Sequence, residues 1–241
     1  SQDRFQLRFQ SHNFAPFDDL TAIESVEWRI TPYRGDWRVA AEMYRRSMAG
    51  RFRLTTLAKQ QPAWVGDIRF VVITGMQTDV LDRLVRRVVP ERTLLYIPNW
   101  RRDGYDINYP DYTADQRFGP FVEHAHKLGF RVMPHVNYFG CTESNSVYER
   151  FKEHHLRDAV NKRPLYWVPP SARNKKETPP QKFAYMNPAC KGWRELLIAR
   201  FKEVYDKYKV DALHLDQTLC IPNHGGGLVD GLSVPRGNLL L

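Results

Sequence analysis

The sequence predicts an α/β fold, the first half of a parallel (β/α)8 TIM-type barrel preceded by the end of a β-sandwich-like domain. Three observations predict it. Short, almost wholly apolar runs recur at residues 70–73, 93–97, 130–136 and 210–217, amphipathic stretches separate them, and polar or aromatic side chains gather where the runs end. Strands apolar on both faces belong to parallel sheets covered by helices, and parallel neighbours need a crossover between them. A complete barrel takes about 250 residues, so only about four βα units fit after residue 64. The four units make either an open α/β sheet or the first part of a longer barrel, and the chain is expected to be truncated at both ends.

Taken in order, Phe5, Leu7 and Phe9 alternate with polar residues, and so do Val26, Trp28 and Ile30. A period of two marks half-buried strands. Two strands make no stable sheet alone, so residues 1–35 are expected to be the terminal strands of an upstream β-domain. Residues 36–63 are expected to hold a linker helix and connection, with Asp36 as N-cap, Trp37, Ala40, Ala41, Tyr44 and Met48 at helical spacing, and Gly50 as terminator. Residues 64–241 form the barrel portion.

Within it, Thr78 caps a helix carrying Leu81, Leu84, Val85 and Val88 on one stripe. After the second strand and a polar, tyrosine-rich loop, Pro120 opens a helix burying Phe121, Ala125 and Leu128, and Gly129 closes it. A long insertion follows the third strand. A helix then starts at Asn187 and Pro188 and aligns Trp193, Leu196, Leu197, Phe201, Val204 and Tyr208 before the fourth strand. Beyond it a loop through Pro222, Gly225, Gly226 and Gly227 leads to the start of another helix.

Composition narrows the class. With 42% hydrophobic residues and no run of eighteen apolar positions, the chain can bury a core and contains no membrane span. The formal charge is +9, but the basic residues are scattered along helices, as in Arg83, Arg86 and Arg87, and no nucleic-acid motif accompanies them. No nucleic-acid partner is expected. Cys141, Cys190 and Cys220 lack metal-ligand spacing. They are read either as reduced core residues or as including one bridged pair. Neither His124 with His126 nor His154 with His155 has a convincing set of further ligands, so no metal and no cofactor are expected.

The fourth strand carries the sharpest signal. Alternation puts Leu213 and Leu215 on one face and Ala212, His214 and Asp216 on the other. An aspartate ending an apolar strand needs a partner, a polar cleft or a ligand to offset its lost hydration. A helix cap or structural ion pair is the competing explanation.

The strand ends taken together resemble glycoside hydrolases of the (β/α)8 type, in the broad group of α-galactosidases, endo-α-N-acetylgalactosaminidases and their bacterial relatives. The resemblance runs from about Asp36 to the end and rests most on Ala184, Tyr185, Met186, Asn187 and Pro188, the helix around Trp193, and residues 210–217. It implies that Asp216 is the nucleophile of a retaining glycosidase. It also implies that His214, Gln217, Asn99, Trp100, His135, Asn137 and Tyr138 contact the sugar, and that the second carboxyl comes from a later strand, outside this chain. Glu143 and Asp103 lie on loops that can reach the cleft. A carbohydrate substrate is the expected partner, with a secreted or periplasmic location favoured.

Each feature has a plainer alternative. Trp100 also reads as a hydrophobic plug, and His135 and Asn137 as hydrogen-bonded structural groups. Tyr105, Tyr109 and Tyr112 with Asp103, Asp106 and Asp111 line a subsite or simply order a loop. The polar, lysine-rich segment 164–182 is a lid, a subsite wall suited to acidic glycans, or a solvated loop. At the level of function, the rival is a non-catalytic carbohydrate-binding or scaffolding barrel.

Overall fold

A computed structural model describes residues 7–10, 22, 27–52, 59–158, 160–168, 182–216 and 227–240. The chain divides into two compact units, Ser1–Asn13 with Leu20–Asp67, and Phe14–Asp19 with Ile68–Leu241.

In the first unit, helix α1 (Trp37–Phe52) begins where Asp36 accepts a hydrogen bond from the Arg38 backbone N–H at 2.9 Å. The carboxylate also holds the Arg38 guanidinium, so the expected cap is in place. Gly50 does not terminate the helix, which runs on to Phe52. The alternating segments expected to be strands differ more. Residues 7–10 and 27–30 form no strand, and Leu7, Phe9, Trp28 and Ile30 are exposed. Phe9 and Trp28 meet edge to face, with ring centroids 5.2 Å apart. Alternation supplies only a two-faced ribbon; a ladder needs a neighbouring strand, and none of these described residues has one. Phe5 and Val26 lie outside the described residues.

The second unit is built on strands β1 (Phe70–Ile73), β2 (Thr93–Ile97) and β3 (Arg131–Asn137). The excursion after β3 contains β4 (Gly140–Cys141), β5 (Tyr166–Trp167) and β6 (Phe183–Tyr185), and β7 (His214–Asp216) completes the main sheet. Its order is β1-β2-β3-β7, with every neighbouring pair parallel. This is a curled half-barrel wall whose strands all end on the same side. In register, Ile73 lies beside Tyr96, Tyr96 beside Met133, His135 beside His214 and Asn137 beside Asp216.

The crossovers are α2 (Thr78–Leu84), α3 (Phe118–Lys127) and α5 (Lys191–Tyr208). Helix α2 stops at Leu84, short of Val88. Helix α3 opens at Phe118, before Pro120, and ends next to Gly129, whose φ of +93° is the left-handed conformation that glycine adopts freely. Helix α5 opens three residues after Pro188; Trp193, Leu197, Phe201 and Val204 form its buried stripe. They join Leu95, Ile97, Trp100, Phe118, Phe121, Val132 and Val136 in one core. Each such side chain contributes roughly 1.5–3 kcal/mol by leaving water.

The excursion carries a sheet that the sequence reading did not anticipate, antiparallel with order β4-β6-β5, and a helix α4 (Ser146–Phe151) capped by Asn145. Part of the polar segment is therefore ordered; residues 169–181 lie outside the described residues. Near the chain's end, α6 (Val234–Asn238) packs against the turn at Pro188 and Ala189 so closely that a Cβ on Gly237 would stand 2.3 Å from the Ala189 backbone. Cys141 and Cys190 are buried and unbridged, whereas Cys220 lies outside the described residues. No helix among the described residues is long and apolar enough to cross a membrane.

Candidate functional site

The site grows from the two strands at the centre of the register. Because β3 and β7 run parallel, His135 and Asn137 project on the same face as their neighbours His214 and Asp216. The two imidazoles stack with centroids 5.4 Å apart and planes 23° from parallel. Tyr96 reaches over from β2, its hydroxyl 2.8 Å from His135 Nδ1 and its ring 4.6 Å from that of His214. His135 Nε2 faces Asp216 Oδ2 at 4.0 Å, beyond direct hydrogen-bonding distance.

The loop after β2 supplies a second carboxyl. Buried Arg101 anchors that loop: its guanidinium donates to the carbonyls of Gly104, Ile107 and Asp111 at 2.8–2.9 Å and lies 4.0 Å over the Tyr109 ring. The turn so formed holds Asp106 at φ +57°, a conformation that aspartate tolerates better than most residues but at some cost. Asp106 is 7% exposed, and its carboxyl accepts from Tyr109 Oη at 3.2 Å and from Trp167 Nε1, on β5, at 3.3 Å. The ring of Tyr105, next in the chain, lies 4.8 Å from His135.

Three buried polar atoms around these rungs have no hydrogen-bond partner among the described residues, namely His135 Nε2, His214 Nδ1 and Asn137 Nδ2. Buried polar groups are normally satisfied, and an unsatisfied one costs about 1–3 kcal/mol. Such atoms side by side, next to a carboxylate, have the character of a ligand-binding surface. Among the described residues no cluster of three or more His, Cys, Asp or Glu is placed to hold a metal ion.

Residues 24–225 match the sequence profile of a domain family described as domain of unknown function, DUF6259. The chain belongs to the DUF6259 family. No curated protein matches it in sequence. Among solved structures, the DUF6259 chain is similar to a quadruple mutant of the α-N-acetylgalactosaminidase NagBb from Bifidobacterium bifidum, at 15% identity and a TM-score of 0.58, covering 85% of this chain and 38% of that one. It is likewise similar to the GalNAc complex of the same protein, at 14% identity and a TM-score of 0.57, covering 84% of this chain and 37% of that one. At these identities the likeness is one of fold, and the DUF6259 chain spans under two fifths of those chains' length.

Electrostatics separate the groups of the DUF6259 site. Burial, with smaller contributions from His214 and Arg101, lowers the His135 imidazole to about 3, so the ring is neutral at physiological pH. Burial raises the Asp106 carboxyl; the hydrogen bonds from Tyr109 and Trp167 oppose the rise, and the nearby Asp216 charge adds to it. The Tyr96 hydroxyl is pushed up to about 12, mainly by burial, and remains protonated.

The sequence-predicted residues divide. His135, His214 and Asp216 come together with Tyr96 and Tyr105. Asn137 shares their face, but its Oδ1 already accepts from the Phe139 and Gly140 N–H groups, leaving only Nδ2. Trp100 is fully buried against Phe118 and donates to the His135 carbonyl at 2.6 Å. Its place is under the site. Tyr138 points into the core, with its ring stacked on Phe139 and its hydroxyl bonded to Asn238. Asn99 is exposed, and Gln217 lies outside the described residues.

Of the other carboxyls considered, Asp103 accepts from Asn108 at 2.8 Å within its own loop. Burial raises Glu143, but the hydrogen bond from Tyr166 and the charge of Lys182 outweigh it, so this carboxyl sits below its ordinary value. Sequence reasoning missed Tyr96 and Trp167 and did not single out Asp106. Tyr96 was findable, as the polar break in the apolar run Thr93–Ile97.

Proposed function

We propose that this chain carries the nucleophile of a retaining glycoside hydrolase acting on oligosaccharides, polysaccharides or glycoconjugates, with Asp216 attacking the anomeric carbon at the end of the fourth barrel strand. The observation that carries this reading is the pairing of Asp216 with a neutral, buried and unsatisfied imidazole on the adjacent rung. A neutral N–H donor can bind a sugar hydroxyl, and a carboxylate can form the glycosyl–enzyme bond. The fold shared with an α-N-acetylgalactosaminidase supports the same reading.

In this mechanism Asp216 forms the new bond to the anomeric carbon as the bond to the leaving oxygen breaks, and a second carboxyl gives that oxygen its proton. Water then attacks the same carbon, the bond to Asp216 breaks, and the second carboxylate takes one of the water's protons. The family resemblance puts the second carboxyl on a later barrel strand. Asp106 is the buried, raised carboxyl within the described site, and a raised carboxyl suits a proton donor.

The test uses the full-length protein and a panel of aryl glycosides. Asp216→Asn is expected to lower kcat by ~10³-fold or more on every substrate turned over, and a rate near wild type removes Asp216 from the mechanism. Asp106→Asn is expected to lose roughly 10²-fold or more on poor leaving groups and far less on activated ones if it donates the proton. Equal losses on both assign the proton to another carboxyl. Glycan binding by the wild-type protein without turnover of any glycoside favours a carbohydrate-binding barrel instead.

A further inference from the structure

His135 has two ring nitrogens in contrasting settings. Nδ1 is engaged by the Tyr96 hydroxyl at 2.8 Å, while Nε2 is buried, without a hydrogen-bond partner among the described residues, and 4.0 Å from Asp216 Oδ2. A neutral imidazole carries one proton, and the hydrogen bond at one nitrogen decides whether the other is a donor or an acceptor.

We propose that Tyr96 is a positioning residue: its hydroxyl donates to His135 Nδ1 and so holds the ring proton on Nε2, where it forms, with the Asp216 carboxylate, a donor–acceptor clamp for one hydroxyl of the ligand. The argument rests on the alternatives. If Nδ1 carried the proton and donated to Tyr96, the lone pair of the buried Nε2 would face an oxygen of the partly exposed Asp216 carboxylate at 4.0 Å. That arrangement is repulsive. With the proton on Nε2 the same gap is attractive, and burial of the imidazole enlarges the difference.

The other groups facing the ring leave this preference in place. His214 stacks on it, Tyr105 lies against it, and the Arg101 charge acts on it without a hydrogen bond between them, Arg101's guanidinium being engaged with loop carbonyls. A separation of 4.0 Å lets one hydroxyl oxygen stand about 2.8 Å from both Nε2 and Oδ2. It would accept from the imidazole and donate to the carboxylate. The protonated state of the Tyr96 phenol, raised by burial, is the state the donation needs.

The clamp rests on the reading of this site as a sugar site, so the experiment has separate arms. Full-length protein labelled with ¹⁵N-histidine is examined by two-bond ¹H–¹⁵N correlation, with His135 assigned by its loss in His135→Gln. The expected wild-type pattern is Nε2–H with a bare Nδ1, and Tyr96→Phe is expected to mix the two tautomers while the other histidine signals stay in place. A wild-type Nδ1–H ring, or a Tyr96→Phe ring that keeps the pure Nε2–H form, overturns the proposal whatever the sugar results. The second arm adds a panel of methyl hexosides. A shift of the His135 Nε2 resonance supports the clamp, and no shift with any of them overturns both the clamp and the sugar reading. For a hexoside that binds, Tyr96→Phe is expected to weaken affinity about tenfold in the His135 background. In His135→Gln, whose side-chain amide carries its protons without help, the same change is expected to have almost no effect. Equal losses in the two backgrounds overturn the assignment.

Discussion

His135 shows what burial does to a side chain that has to stay uncharged. In the unfolded chain its pKa is the ordinary 6.5, and in the folded protein it is about 3. Between those values the unfolded chain binds more protons than the folded one. Stability therefore falls as pH drops from about 6.5 toward 3, by up to about 1.4 kcal/mol per pH unit, and is unaffected above that window. His135→Gln removes this titration, so its stability is expected to depend less steeply on acid. Urea unfolding at a series of pH values measures the difference, with His155, also lowered by burial, common to both proteins. Identical slopes would mean that burial is not what keeps His135 neutral. At this scale the sequence was informative where alternation alone sets direction: His214 and Asp216 share a face because they lie two residues apart in β7, as His135 and Asn137 do in β3, whereas the register that brings the two pairs together belongs to the sheet. It was uninformative for Asp106, whose burial and hydrogen bonding come partly from Trp167, 61 residues away.

At the scale of elements, the loop between β2 and α3 depends on one cation. Arg101 satisfies three backbone carbonyls and stacks on Tyr109, which in turn holds Asp106. Lysine offers a point charge in place of a planar fork. Arg101→Lys is expected to cost about 2–4 kcal/mol, seen as a lower urea midpoint, and to reduce turnover with it as Asp106 loses its support. Full stability with full activity would show that the loop is held by other contacts. The strands were the legible elements. Residues 70–73 are a continuous apolar run, 93–97 a largely apolar one, and both form the strands their composition predicts, while β3 is shifted by one residue. The fourth strand proved shorter than its apolar run, because Asp211 near its start is drawn to His126, Arg131 and the Val132 N–H. β4 and β5 escaped notice because two-residue strands have no period to read.

At the scale of the barrel unit, opposite ends of the sheet have different work. The strand C-termini hold unsatisfied polar atoms and the two carboxyls of the site. Near the start of β3, the carboxylate of Asp211 is held by the His126 imidazole, the Arg131 guanidinium and the Val132 backbone N–H at 2.8–2.9 Å. In parallel barrels the first end serves chemistry and the second stability. Asp211→Ala is expected to lower stability by about 2–3 kcal/mol, less than for a fully buried network because His126 and Arg131 are about one-third exposed. The KM of any glycoside the protein hydrolyses is expected to be unchanged. A shifted KM would show that the two ends are coupled.

The parallel pairing of β3 with β7 also has a consequence for design. The chain leaves the sheet after Asn137 and returns at His214 on the adjacent strand, so the ladder is indifferent to how much polypeptide is spliced in between. The β4-β6-β5 sheet is in that sense a cassette. A shorter or differently folded cassette that retained an indole-like donor to Asp106 would leave the rungs of the site in register while exchanging the wall beside them, a natural point at which to remodel such a site.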